Sequence, residues 1–321
     1  MTRSSIAPIP PGALDLTGPA VRRRRTLQRA AMQVLDAAGF EEAIPPTFEY
    51  DEVFLRAGGA DVAERLIRFS DVDGRLLALR YDFTAAIARV AATSFSDQEP
   101  PIKVSYSGKV FRQAPGRSGR PREILQVGAE TMGVSGIGSD VELVRLTLQL
   151  LGVLGLADFQ INLGHAGVLA AGFAALPSER HAEVRRWIDR KDRAALEQHL
   201  AGLDSPARDL ASLPFVIGRR AALEATMPIA PLTAQPSLAH LIALDEALTS
   251  EERTHVVYDL GEVRGLDYYT GIHFEVFVAG CGRAAGAGGR YDDLMGRFGR
   301  PMPALGVALD LDALAEVPRC A

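Results

Sequence analysis

The chain has 321 residues, 47% hydrophobic and 23% charged, a balance that excludes disordered and fibrous classes and leaves room for two domains. Lys and Arg number 35 against 40 Asp and Glu, a net charge of −5. No global positive field therefore draws the chain to nucleic acid or a membrane, although a local basic patch survives such a total.

Met1 to Gly12 has prolines and serines but no apolar run, so it does not read as a signal peptide. A first helix is expected from Pro19, a favoured first helical position, to Gly39. Its apolar residues Leu27, Ala31, Val34, Leu35 and Ala38 form one stripe. Arg22 to Arg25 at its start are either a solvated helix end or a site for an anionic partner. Pro45-Pro46 then forces an extended segment. Leu76–Leu79 reads as a strand and Asp82–Ala92 as a helix. Lys103–Arg112 and Glu123–Met132 read as two strands joined by the loop Gln113–Arg122. Gly133–Gly138 superficially resembles a phosphate loop but lacks the lysine, and reads as a strand-to-helix turn. Asp140–Leu151 is expected as a helix. The most apolar stretch, Leu146 to Ala157, falls short of the roughly 18 residues a membrane span needs.

Phe159–Leu163 reads as a strand, after which the texture changes. From Ala166 to Glu252, Ala-, Arg- and Glu-rich segments such as Glu179–Asp189 and Arg193–Leu200 carry helical periodicity, as in an inserted helical subdomain. Strands return at Thr254–Leu260 and Ile272–Val278, followed by a short glycine-rich loop near residue 285. The expected fold is α+β: an antiparallel sheet flanked by helices, assembled from residues 1–165 and 253–321, with 166–252 inserted. The two cysteines, Cys281 and Cys320, cannot build a disulfide framework and point to a reducing, cytoplasmic setting. The six histidines show no metal-ligand spacing, so neither metal nor cofactor is expected.

Two clusters carry chemistry. Along Ile124–Glu130, period-2 geometry puts Gln126, Gly128 and Glu130 on one face and Leu125, Val127 and Ala129 on the other. The first face is either an ordinary solvent-facing sheet surface or a shallow floor about 13 Å long on which a small zwitterion fits. The second cluster is Glu262-Val263-Arg264-Gly265-Leu266-Asp267-Tyr268-Tyr269-Thr270-Gly271, followed by Gly286-Ala287-Gly288-Gly289-Arg290-Tyr291-Asp292-Asp293-Leu294. These segments resemble the paired signature motifs of histidyl-tRNA synthetases. Leu79-Arg80-Tyr81-Asp82-Phe83-Thr84 resembles their amino-acid-binding turn, and Phe111-Arg112 with Gln126 and Glu130 resembles the class II motif 2 hairpin. The region ending at Pro45-Pro46 resembles motif 1, which in that family builds the dimer interface.

The resemblance implies a histidine pocket. Neutral imidazole has one N–H donor and one acceptor nitrogen. Glu130 suits the donor, and the hydroxyl of Tyr269 or Tyr291 suits the acceptor. Asp82, Thr84 and Gln126 match positions that hold the α-ammonium group, Arg264 matches the arginine near the carboxylate, and Arg112 is within reach of the same group. With Tyr268, these nine residues are the expected binding set; no catalytic residue is expected.

Two departures bear on function. Motif 2 normally has a glutamate two residues after its arginine, where this chain has Ala114. Motif 3 should end in Glu-Arg, but Gly306-Val307-Ala308-Leu309-Asp310-Leu311 is followed by Asp312-Ala313, and alanine cannot pair with a triphosphate. The sequence runs eight residues past Ala313, so no C-terminal anticodon-binding domain is expected. This combination resembles the family of ATP phosphoribosyltransferase regulatory subunits. It implies a protein without catalysis of its own that binds histidine for feedback in the first step of histidine biosynthesis. The implied partners are a short-form catalytic subunit, in a hetero-octamer, and a second copy through the motif 1-like region. Other readings are a truncated synthetase paralogue that still activates histidine, or a tRNA-binding pseudo-synthetase using Arg22–Arg25 with Arg117, Arg120 and Arg122.

Overall fold

Alternation along the strand Glu123–Met132 decides the architecture. Val127 and Ala129 point into the core at 0% and 1% exposure, and Gln126, Gly128 and Glu130 line the opposite face. The computed structural model describes residues 9–113, 121–263 and 268–317, without the side chains of 59–61. In it, this strand pairs antiparallel with Ile102–Phe111 on one side and Ala304–Asp310 on the other. Among the described residues, nine strands form the main sheet. Their order is Glu41–Glu42, Ile102–Phe111, Glu123–Met132, Ala304–Asp310, Gly286–Arg290, Ile272–Val278, Phe159–His165, Val256–Asp259 and Ile217–Gly218. The first pair and the Phe159–His165/Val256–Asp259 pair are parallel, and the others antiparallel. The last strand in the chain thus lies inside the sheet, between strands of two different hairpins. Phe48–Tyr50, Leu76–Leu79 and Arg68–Ser70 make a small second sheet.

The helices follow the sequence signals closely. Gly18–Ala37 buries Leu27, Ala31, Val34 and Leu35 of the expected stripe, while Ala38 falls at its C-cap and is half-buried. Phe83–Ala92 starts where the Asp82 carboxylate accepts the Ala85 N–H at 3.0 Å, an N-cap bond. The helix expected at Asp140 instead spans Ile137–Val153. Gly133 and Gly136, both at φ +85°, complete the turn early, so Asp140 falls in the first helical turn.

The glycine run expected as a loop near residue 285 is a strand, Gly286–Arg290. Here glycine serves close packing: a Cβ on Gly288 would stand 2.5 Å from the Phe274 ring and 2.6 Å from the Gly306 carbonyl.

Within the insertion lie helices Gly167–Ala174, Ser178–Asp189, Arg193–Leu200, Arg220–Thr226, Gln235–Ala247 and Ser250–Arg253. Its Leu169, Val184, Leu196, Leu223, Leu238 and Leu241 join the same apolar cluster as Val127, Ile161 and Leu309 of the sheet. The insertion also contributes the strand Ile217–Gly218 to the sheet edge. No described helix is long and apolar enough to cross a membrane.

Candidate functional site

Glu130 is the centre of the site. It is 2% exposed, and its Oε1 accepts hydrogen bonds from the Thr84 hydroxyl at 2.8 Å and the Tyr106 hydroxyl at 3.0 Å. Its Oε2 accepts from the hydroxyl of Tyr291. Burial pushes the carboxyl up to about 7, against the pull of the three hydroxyl bonds. The same burial pushes the hydroxyls of Tyr106, Tyr268, Tyr269 and Tyr291 up, so all four remain neutral donors in the physiological range.

Glycines make this arrangement possible. Strand register sets Gly306 beside Glu130 and Ala308 beside Gly128. A Cβ on Gly306 would lie 1.6 Å from Glu130 Oε2, and one on Gly128 would lie 2.4 Å from the Tyr106 hydroxyl oxygen. At Gly289, where φ is +157°, a Cβ would stand 2.7 Å from the Tyr269 ring. Three strands are therefore bare where the carboxylate and tyrosines converge.

The tyrosines take distinct roles. With the Tyr291 hydroxyl committed to Glu130, and the Tyr268 hydroxyl donating to that of Tyr269 at 3.3 Å, the Tyr269 proton is left to donate elsewhere. The structure thereby separates two residues that the sequence treats as equivalent. Tyr268 packs edge-on against Tyr291 at 5.9 Å and Tyr269 stacks on His273 at 5.6 Å.

Asp82 has its carboxyl pushed up by burial, opposed by the Ala85 N–H bond and by the Arg112 charge. Arg112 lies 5.0 Å over the Tyr81 ring and donates from Nε to the Tyr81 carbonyl at 3.4 Å. Gln126 sits on the site-facing side, opposite Gly108 on one neighbouring strand and Asp310 on the other. Arg264 and Ala114 lie outside the described residues, as do Arg117, Arg120 and Cys320.

Two supporting residues escaped the sequence reading. Tyr106 stacks on Phe83 at 4.2 Å over Gly128. Its signal was available, because pairing Phe111 with Glu123 counts back to an aromatic opposite a glycine. Arg80 donates to the carbonyls of Pro45, Pro46 and Lys109 at 2.8, 3.0 and 2.8 Å, locking the proline corner to the hairpin. Nothing in its local sequence announces those partners.

The far end of the floor holds two arginine–carboxylate pairs. Asp310 pairs with Arg283 and caps the helix Leu311–Glu316 through the Ala313 N–H at 2.8 Å. Asp312 takes the Arg24 Nε at 2.5 Å and the Leu125 N–H at 2.7 Å. Ala313, at the motif 3 arginine position, is 1% exposed and faces the core, so no cation reaches the floor from there.

A buried carboxylate ringed by hydroxyls on a mixed, mainly antiparallel sheet flanked by helices is the arrangement of a class II synthetase-like fold. The family model described as histidyl-tRNA synthetase matches residues 12–314. A relative from Moorella thermoacetica, named ATP phosphoribosyltransferase regulatory subunit, is 38% identical over 315 residues, covering 95% of this chain and 80% of the relative. One of the same name from Geobacter sulfurreducens is 36% identical over 319 residues, covering 96% and 72%. Among solved structures, an ATP phosphoribosyltransferase regulatory subunit/histidyl-tRNA synthetase from Bacillus halodurans C superposes with a TM-score of 0.86 at 29% identity, covering 98% of this chain and 84% of that one. A histidine–tRNA ligase subunit from Alicyclobacillus acidocaldarius gives 0.82 at 27%, covering 98% of both chains. The chain belongs to the histidyl-tRNA synthetase-like family and, within it, to the ATP phosphoribosyltransferase regulatory subunits.

Proposed function

We propose that the chain activates a short-form ATP phosphoribosyltransferase catalytic subunit and binds histidine, the pathway's end product, as the feedback signal. The observation that carries the ligand is the division of labour at Glu130 and Tyr269. Glu130 supplies an acceptor held by three hydroxyls, and Tyr269 supplies a donor, which together match the N–H and the bare nitrogen of neutral imidazole. Asp82, Thr84 and Gln126 would meet the α-ammonium group; Arg112 and Arg264 would meet the carboxylate. The buried Ala313 at the motif 3 arginine position offers no cation to a triphosphate, which favours a regulatory role over ATP activation. A self-dimer through the motif 1-like region is supported by Ile44 and Phe48, large apolar residues 82% and 52% exposed on either side of Pro45-Pro46. A cytoplasmic hetero-octamer with the catalytic subunit completes the proposal.

The test is phosphoribosyl-ATP formation by a short-form catalytic subunit with and without this chain, with histidine titrated in. The expected result is a higher rate with the chain and a fall with histidine. An unchanged rate with no stable complex would overturn the proposal, and histidine-dependent ATP–pyrophosphate exchange would establish the synthetase reading instead.

Binding should depend on pH. An imidazole N–H at Glu130 favours the ionised carboxylate, while burial holds its pKa at about 7. The carboxyl is therefore mostly protonated at pH 6, and ionising it opposes binding there. Histidine affinity should rise at least tenfold between pH 6 and pH 8, with proton release, by linkage to a group of this pKa and to the ligand's own imidazole, of pKa about 6.5, which binds neutral. Calorimetry at the two pH values, in buffers of different ionisation enthalpy, reads both quantities. A flat profile would place the imidazole away from Glu130.

A further inference from the structure

Behind the tyrosine pocket, Arg290 is 6% exposed and gathers several segments. Its Nη2 donates to Ser139 Oγ at 2.6 Å, and its Nη1 donates to the Val134 carbonyl at 3.0 Å and to Asp292 Oδ1 at 3.1 Å. Its backbone carbonyl accepts the Thr270 N–H at 2.8 Å. Arg290 therefore sits one residue from Tyr291 in sequence and ties down the residue after Tyr269.

The guanidinium also reaches Asp140, 1% exposed, whose Oδ1 receives Nε at 2.8 Å and Nη2 at 2.7 Å. The other oxygen, Oδ2, accepts the Nε2–H of His240 at 2.7 Å. His240 lies on the insertion helix Gln235–Ala247, and its ring meets that of His165 edge-on at 5.3 Å. His165 ends the strand from which the chain enters the insertion, and its Nδ1 accepts the Gly167 N–H at 3.1 Å. Burial drives the His165 pKa down to about 4, so that neighbour stays neutral and leaves Asp140 to His240 and Arg290.

A buried carboxylate has to keep its partners. With one oxygen given to the pocket side and the other to the insertion, Asp140 cannot follow a displaced Arg290 without pulling on His240 or losing it. We infer that the chain Arg290–Asp140–His240 is the link through which occupancy of the tyrosine pocket repositions the insertion helix Gln235–Ala247, with His240 as a positioning residue. This deepens the regulatory reading above and rests on it.

Two variants test it on the full chain with the catalytic subunit. His240→Phe keeps a ring against His165 but removes the N–H donor, and His240→Gln restores a donor. In H240F, calorimetry on the chain alone should give a histidine affinity within threefold of wild type, while residual activity at saturating histidine rises at least fivefold. H240Q should return to wild-type inhibition. Equal inhibition of H240F and wild type would overturn the inference while leaving the regulatory reading intact. Hydrogen exchange gives a readout that does not depend on the variants: histidine should change exchange across Gln235–Ala247 in the wild-type chain, and unchanged exchange there would also overturn it. Failure of the underlying reading shows first and differently, as a wild-type chain that neither raises the rate nor binds histidine.

Discussion

Replacing Glu130 by Gln should weaken histidine binding at least tenfold and shift half-inhibition by the same factor. The amide keeps the shape of the side chain and one acceptor oxygen, but it loses the charge. Its NH2 group confronts hydroxyls that now donate to Glu130 from Thr84, Tyr106 and Tyr291. A hydrogen bond to a charged acceptor contributes about 1.5–3 kcal/mol, and each 1.4 kcal/mol is about a factor of ten in affinity. The variant should also reduce the pH dependence of binding near 7, because Glu130 no longer titrates and only the ligand's own imidazole, with a pKa of about 6.5, is left to do so. An affinity within twofold of wild type would remove Glu130 from the ligand site.

Gly306→Ala should have an effect at least as large through a different cause. The new methyl would stand 1.6 Å from Glu130 Oε2 and 2.7 Å from the Ala129 carbonyl oxygen. The carboxylate can swing away only by leaving its hydroxyls, and the backbone oxygen cannot yield. Overpacking of this kind costs about 1–3 kcal/mol. Thermal unfolding should therefore show a lower Tm, and histidine affinity should fall at least as far as in E130Q. Gly152→Ala is the matched control. It lies in the helix Ile137–Val153 with nothing within 4 Å of the added carbon, so its Tm should be equal or higher. A G306A chain with wild-type Tm and affinity would contradict the packing described around Glu130.

The parts of this site that were legible in the sequence are those set by local periodicity. Gln126, Gly128 and Glu130 share a face because strands alternate, and the bounds of Glu123–Met132 and Ile272–Val278 follow from their flanking turns. The glycine–tyrosine segments were legible through resemblance to a family. Propensity failed at Gly286–Arg290, where a run that reads as loop is held as a strand because a larger residue would collide with its neighbours. The Arg290–Asp140 pair, 150 residues apart, was invisible, since only the sheet order brings the two together. Thr84 matches a position for the α-ammonium group, yet its hydroxyl donates to Glu130, a direction set by tertiary packing.

The place of Ala304–Asp310 between Glu123–Met132 and Gly286–Arg290 has a consequence for biogenesis. As the chain leaves the ribosome, the Ile102–Met132 hairpin emerges early and carries a ten-residue edge whose partner is made almost 180 residues later. Until Asp310 is available, that edge is unpaired and prone to pair with another nascent chain. Contacts so distant in sequence form slowly. The strand that completes the sheet also brings Gly306 to Glu130, so the face that carries Glu130 is finished only once Ala304–Asp310 has docked.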